Sequence, residues 1–250
     1  MTELVIVTDD GPVRTIRMNR PEKKNALTMA MYDAMAAGLE GVGQNPALRC
    51  VLMGGAPAVF CAGNDIGDFL NMTGPNGALG KPILRFLYAL VRCELPLVAA
   101  VRGNAVGVGT TMLMHCDHVV ASTEAQFSTP FVSLSLVPEA ASSLIAPRLL
   151  GHVRAFSLLV MGQPLSAAEA KTAGLINTVV APDAVEAEAM KAATAIAALP
   201  PQAVLATRRL IRGASDEMVA RIDEEAEQFK TRLQSSEARA AFEAFMTRKR

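Results

Sequence analysis

The chain opens with period-two alternation: "LVIVT" and "VRTIRM", on either side of "DDGP", predict a β-hairpin. The pattern then changes to helical spacing. "NRPEKKNALT" leads into an Ala- and Met-rich helix with Thr28 as its N-cap, fading near Gly41 and Gly43. "LRCVLMGG" predicts a strand, and "AVFCAGNDIGDFL" a strand-like end that breaks at Gly63 and enters a helix. The polar, Gly- and Pro-containing stretch from Asn71 to Pro82 predicts a surface loop, followed by the helical spacing of "ILRFLYALVRC".

"LPLVAAVRG", almost wholly apolar between Pro96 and Gly103, predicts a buried strand, and "GNAVGVGTTMLMHCD" continues it into a Gly-rich turn and a helix. "HVVAS" is a further strand, and the strand, helix, strand alternation predicts an α/β architecture with crossovers. In "SAAEAKTAGL", Ser166 and Glu169 make a capping box and Gly174 a stop. "LINTVV" is the last predicted strand. From Asp183 the pattern is helical, with Pro200 and Pro201 dividing two helices, so residues 1–199 read as a core and 200–250 as a helical C-terminal region.

Composition narrows the functional classes. The 250 residues are 51% hydrophobic and 19% charged, with 24 basic against 24 acidic side chains, which gives no electrostatic case for a nucleic-acid or membrane partner. No apolar run reaches the length of a bilayer span. "MTELVIVTDD" has acidic residues where a signal peptide has a basic start, so the expectation is a cytoplasmic protein. Cys50, Cys61, Cys93 and Cys116 lack zinc-site spacing and read as buried free thiols. His115 and His118 in "HCDH" have no matching third ligand, so no metal is expected.

Two Gly-centred turns, "CAGND" (Cys61 to Asp65) and "AVGVG" (Ala105 to Gly109), each join a strand-like run to a helix. Facing each other, they would cradle negative charge developing on an oxygen; taken singly, each is also an ordinary strand-to-helix turn. Gly103, Gly107 and Gly109 do not give the dinucleotide order G-x-G-x-x-G, and the G-x-S-x-G of serine hydrolases is absent. Between Glu124 and Arg148 the only formal charge is Glu139, in "VPEAASS". It reads either as an exposed acid in the first turn of a helix or as a carboxylate buried between "FVSLSLV" and "AASSLI", where its pKa would rise and suit proton transfer. Two oxyanion-binding turns plus one acid or base fit proton abstraction next to a carbonyl through an enolate.

The blocks "MNRPEKKNALT", "FCAGNDI", "LPLVAAVRGNAVGVGTTMLMHCDHVVAS", "QFSTPFVSLSLVPEAASS" and "LLGHVRAFSLLVMGQPLSAAEAKTAGLINTVV", covering Val13 to Pro182, resemble the successive blocks of the crotonase, or enoyl-CoA hydratase/isomerase, superfamily. The resemblance implies a spiral of ββα units with two nearly perpendicular sheets, a helical C-terminal region that forms a homotrimer or dimer of trimers, and an acyl-CoA thioester as substrate. It implies no cofactor beyond the coenzyme A of the substrate. It places the oxyanion donors on the peptide N–H groups of Asn64, after Gly63, and Val108, after Gly107. Lys23, Ala26, Ala62 and Ile66 would line the CoA site, Asp65 would fix the turn, and tail residues such as Phe242 would reach a neighbouring subunit's CoA.

This sequence departs from the hydratases of that family, which carry one catalytic Glu where Thr111 stands and another where Phe131 stands. It carries Glu139 where they have Gly. The "PF…PE…SS" arrangement is similar to peroxisomal-type Δ3,Δ2-enoyl-CoA isomerases, whose single catalytic Glu lies in this segment. The implied reaction moves a 3-enoyl-CoA double bond to the trans-2 position, with Glu139 carrying the proton. An enoyl-CoA hydratase-like or other crotonase-fold acyl-CoA enzyme, and an acyl-CoA-binding protein without catalysis, are the alternatives.

Overall fold

The computed structural model describes residues 3–56, 59–65, 67 and 79–248. β1 (Val5–Asp10) and β2 (Val13–Met18) form the hairpin, but with a tighter turn than the sequence suggests. Asp9 and Asp10 remain in the ladder opposite Arg14 and Val13. The Arg14 guanidinium donates to both oxygens of Asp9 (2.7 and 2.9 Å), a cross-strand pair that leaves only Gly11 and Pro12 to turn the chain. α1 (Met29–Glu40) starts where Thr28 accepts the Met31 N–H and stops at Gly41.

β3 (Cys50–Gly55) is buried along its whole length. The expected helix after Gly63 falls mostly outside the described residues, as do residues 71–78 of the expected loop. Lys81 and Pro82 belong instead to the first turn of α2 (Lys81–Arg92), where Pro costs no hydrogen bond. There follow β4 (Leu97–Val101), β5 (Asn104–Val106), the single turn α3 (Val108–Thr111), β6 (His118–Ser122) and β7 (Gln126–Ser128). Next come α4 (Ser142–Leu150), α5 (His152–Leu159), β8 (Leu165–Ser166), α6 (Ala167–Ala173) and β9 (Thr178–Val180). The chain closes with α7 (Val185–Ala197), α8 (Pro201–Arg212), α9 (Ser215–Leu233) and α10 (Ser236–Arg248). The Ser166–Glu169 capping box is formed, and Gly174 ends α6 at φ +85°.

The larger sheet has the order β1-β2-β3-β4-β6-β9, parallel except for the hairpin. Its period-two pattern divides the apolar side chains between two faces. Val51, Met53, Leu97, Ala99, Val101, Val119 and Ala121 join the main core with Met31, Met35 and Leu39 of α1 and Phe86, Leu87 and Leu90 of α2. Cys50, Leu52, Val98, Ala100 and Val120 instead meet Val185, Ala189 and Ala193 of α7. Each large side chain so buried contributes about 2 kcal/mol, which is why the strands read as continuous apolar runs.

The smaller sheet has the order β5-β7-β8, with only two or three residues per strand. Cys61 joins it through a bridge to Ala105, which brings the two Gly-centred turns side by side. α9 packs Met218, Ile222, Phe229 and Leu233 into the main core and lies against α2 and α4. Among the described residues no helix is long and apolar enough to cross a membrane.

Candidate active site

Backbone hydrogen bonds hold the first turn between two neighbours. Leu27 N–H donates to Gly63 O (2.8 Å), Asp65 N–H to Leu27 O (2.9 Å) and Ala62 N–H to Lys24 O (3.0 Å). On the other side, Cys61 N–H donates to Asn104 O and Val106 N–H to Cys61 O. Asp65 does not enter the cavity as a free acid: its carboxylate accepts Arg20 Nη1 at 2.7 Å and the Gly67 N–H at 2.9 Å, fixing the turn. The Asn64 side chain is held as well, since Oδ1 accepts the hydroxyl of the buried Tyr32 at 2.5 Å.

The second turn depends on glycine. Gly107 has φ +57° and ψ −122°, a region closed to residues with a Cβ, and its N–H donates to Ser128 O at 2.8 Å. A Cβ on Gly109 would lie 2.8 Å from Cys61 O and 2.9 Å from Cys61 Cβ, so only glycine lets the turns approach this closely. Thr110 locks the turn, its hydroxyl donating to Ala105 O (2.7 Å) and accepting the Ser128 N–H (3.2 Å). Among the described residues no hydrogen bond uses the N–H of Asn64 or of Val108. Two unused amide donors on adjoining turns are the elements of an oxyanion-binding pair.

Glu139 is 3% exposed, and it precedes α4 by three residues; it is not an exposed acid in a helical first turn. One oxygen, Oε1, accepts the Thr111 hydroxyl at 2.5 Å, while Oε2 is buried with no partner among the described residues. Burial pushes its pKa up to about 8; the Thr111 hydrogen bond opposes that rise, and the negative charge of Glu225 adds to it. Glu139 and Cys61 in turn raise the Tyr32 hydroxyl, though burial is the larger cause. Burial also pushes the Cys61 thiol up to about 12, so it stays protonated at neutral pH and is no thiolate nucleophile. A carboxyl with one bare oxygen and a pKa near neutrality can both take and return a proton.

A cavity of about 530 Å³ opens over the turns and is lined by Lys23, Ala26, Ala62, Gly63, Asn64, Asp65, Gly107 and Val108. Eight of the sequence-derived site residues thus share one wall; Ile66 lies outside the described residues. Phe131 and Leu136 line the same space. Glu139 is not on the wall formed by the described residues: it lies three residues beyond Leu136 and is tied to Thr111 in the turn of helix that Val108 begins. Phe229 and Phe242 also line this chain's own cavity.

Sequence reasoning missed Tyr32, His115 and Glu225 as parts of this region. His115 Nε2 donates to Ala140 O at 2.7 Å, and burial holds the imidazole down at about 4, hence neutral. Glu225 had a legible signal: in α9 it occupies the stripe Met218, Ile222, Glu225, Phe229, Leu233, an acid at an apolar position. Among the described residues no three His, Cys, Asp or Glu side chains gather as metal ligands.

The fold and site define a class: a crotonase-type α/β spiral in which two glycine turns present amides unused among the described residues, near the buried carboxyl of Glu139. The enoyl-CoA hydratase/isomerase family model matches residues 9–250, and the chain belongs to that family. It is 34% identical over 250 residues to enoyl-CoA delta isomerase 2 of Rattus norvegicus, covering 98% of this chain and 64% of the rat protein. The chain therefore spans less than two thirds of that relative's length. It is 36% identical over 185 residues to 1,2-epoxyphenylacetyl-CoA isomerase of Escherichia coli (strain K12), covering 72% of this chain and 71% of that protein. The solved enoyl-CoA hydratase/isomerase from Pseudoalteromonas atlantica T6c superposes with a TM-score of 0.93 at 40% identity, covering 98% of each chain.

Proposed function

We propose that this chain is an enoyl-CoA isomerase that converts a 3-enoyl-CoA to the trans-2-enoyl-CoA with Glu139 as its only acid-base residue. Ionised Glu139 takes a proton from C2. The electrons of that C–H bond form the C1=C2 bond of an enolate, and the thioester oxygen gains the negative charge. The Asn64 and Val108 N–H groups stabilise this oxygen, which needs donors most when its charge is greatest. Protonated Glu139 then gives the proton to C4: the C3=C4 electrons form the new C4–H bond, the C1=C2 electrons of the enolate move to C2=C3, and the thioester carbonyl reforms. Atoms and charge balance without water or a redox partner. Lys23, exposed on the cavity lining, would meet the CoA phosphates in this reading.

The observation that carries this reading is Glu139 itself: a buried carboxyl with one oxygen held by Thr111 and the other without a partner among the described residues. By the family resemblance, Thr111 and Phe131 stand where a hydratase carries its two catalytic acids, so neither of those two carboxylates is present to activate water. The family membership and the similarity to an enoyl-CoA delta isomerase support the same reading. The test is turnover of trans-3-hexenoyl-CoA and a panel of other chain lengths, followed by the absorbance of the conjugated thioester, for the parent and Glu139→Gln. Product from the parent, lost in the variant with CoA-ester binding kept, supports the assignment. Hydration of 2-enoyl-CoA by a parent inert toward every 3-enoyl-CoA overturns it.

A further inference from the structure

Glu139 stands on an improbable piece of backbone. Ala140 and Ala141 both adopt left-handed conformations, φ +60° and +55°, which disfavour any residue with a Cβ, and neither is glycine. Within the segment, the Ser142 hydroxyl and N–H both donate to the Glu139 carbonyl, at 2.6 and 3.1 Å. Leu144 and Ile145 N–H donate to Ala141 O as α4 begins, and further bonds come from distant parts of the chain. His115 donates to Ala140 O, and Glu225 accepts the Ala141 N–H at Oε2 (2.7 Å) and both the N–H and the hydroxyl of Ser143 at Oε1 (2.9 and 2.5 Å). α4 has no side-chain cap of its own, so the carboxylate of Glu225 satisfies its first amides from another helix.

A carboxylate in the apolar stripe of α9 is unfavourable for packing, and burial raises its pKa. Its three donors, two of them otherwise orphaned amides, stabilise its ionised form. We propose that Glu225 is the positioning residue for Glu139: from α9 it clamps the left-handed Ala140–Ala141 turn and so fixes where the proton-transferring carboxyl sits. This rests on the reading of Glu139 as the base. The charged or titratable groups around the pair are few. Arg221 lies 3.4 Å from the Ser143 hydroxyl and is paired with Glu224. Tyr32 and Cys61 face Glu139, and Arg208 and Arg212 face His115. The clamp also brings a second negative charge near Glu139, which contributes to its raised pKa.

Glu225→Gln keeps the side-chain shape but turns an NH2 group toward backbone or hydroxyl donors. The expected result with trans-3-hexenoyl-CoA is kcat lower by about 10- to 100-fold, KM within about twofold, and the rising limb of the pH profile moved to lower pH. Glu217→Gln, at an exposed site on the same helix, leaves all three unchanged. A merely structural role would lower the active fraction without moving the limb. Unchanged kcat and limb, or a fall in kcat with the limb fixed, overturns the proposal. If Glu225→Gln does not fold, Ser143→Ala removes one of the three donors, and the same directions are expected with smaller amplitude.

A second readout needs no turnover. The pH-dependent stability difference between the parent and Glu139→Gln reports the Glu139 carboxyl directly, and it is measured again in proteins that also carry Glu225→Gln. A smaller pH-dependent difference in that background supports the clamp, and an unchanged one overturns it. Failure of the parent on every 3-enoyl-CoA removes the isomerase reading, yet this stability cycle still decides whether Glu225 governs Glu139.

Discussion

Glu139→Gln should make the protein more stable at pH 8 while abolishing its proposed chemistry, and the size of the gain follows from burial. The Glu139 carboxyl is held at about 8 in the folded chain against an ordinary 4.5. Between those values the unfolded chain has released this proton and the folded chain has kept it, so the stabilisation present at acidic pH is lost as pH rises. The slope is at most about 1.4 kcal/mol per pH unit, and from about pH 5 to about pH 8 the loss amounts to about 3 kcal/mol. Glutamine keeps the acceptor for Thr111 and cannot ionise, so it escapes the loss. Glu225 and His115 also have shifted values, but both are present in the two proteins and cancel to first order in the comparison. Urea unfolding of parent and variant at the two pH values measures the difference. A variant that gains about 3 kcal/mol on the parent between them agrees with a buried proton-transferring carboxyl. A stability difference independent of pH refutes it, because Glu139 would then ionise alike in both states.

Three further outcomes follow from the site. Thr111→Val removes the hydrogen bond that the Glu139 carboxylate accepts from Thr111 and so disfavours its ionised form; the limb of activity that rises with pH through about 8 should move higher, with a loss of about 10-fold at neutral pH, read from a kcat/KM profile. Gly109→Ala places a methyl group against Cys61 and spreads the two turns, so kcat should fall by about 100-fold in steady-state kinetics. Lys23→Ala at the cavity rim should raise KM for the CoA ester several-fold and leave kcat nearly unchanged, which separates phosphate binding from proton transfer.

The elements legible in the sequence are those whose burial is set by near neighbours. "LPLVAAV" reads as a buried strand because both faces of β4 are covered, and Ser166 with Glu169 reads as a helix start because the cap is local. β5, β7 and β8 had no such signal, since two or three residues become strands only through pairing with distant partners. The hairpin turn was overestimated by two residues because the Asp9–Arg14 pair is a cross-strand interaction. Glycine spacing pointed to the two turns of the site, and Glu139 stood out as a lone charge in an apolar stretch. What holds it was less visible: Thr111 stood out only as a departure from the family pattern, and His115 only as a metal-ligand candidate without a third partner. Glu225 lies 86 positions away, and only its place on the apolar stripe of α9 marked it.

The central claim is that one carboxyl carries one proton from C2 to C4. The direct measurement is a single-turnover reaction, enzyme in excess, with trans-3-hexenoyl-CoA labelled by deuterium at C2 and the product analysed by mass spectrometry and NMR. Deuterium at C4 of the trans-2-enoyl product, with no product from Glu139→Gln, is the result this account predicts. Product formed with C4 filled only from solvent, or formed as well by the variant, contradicts it.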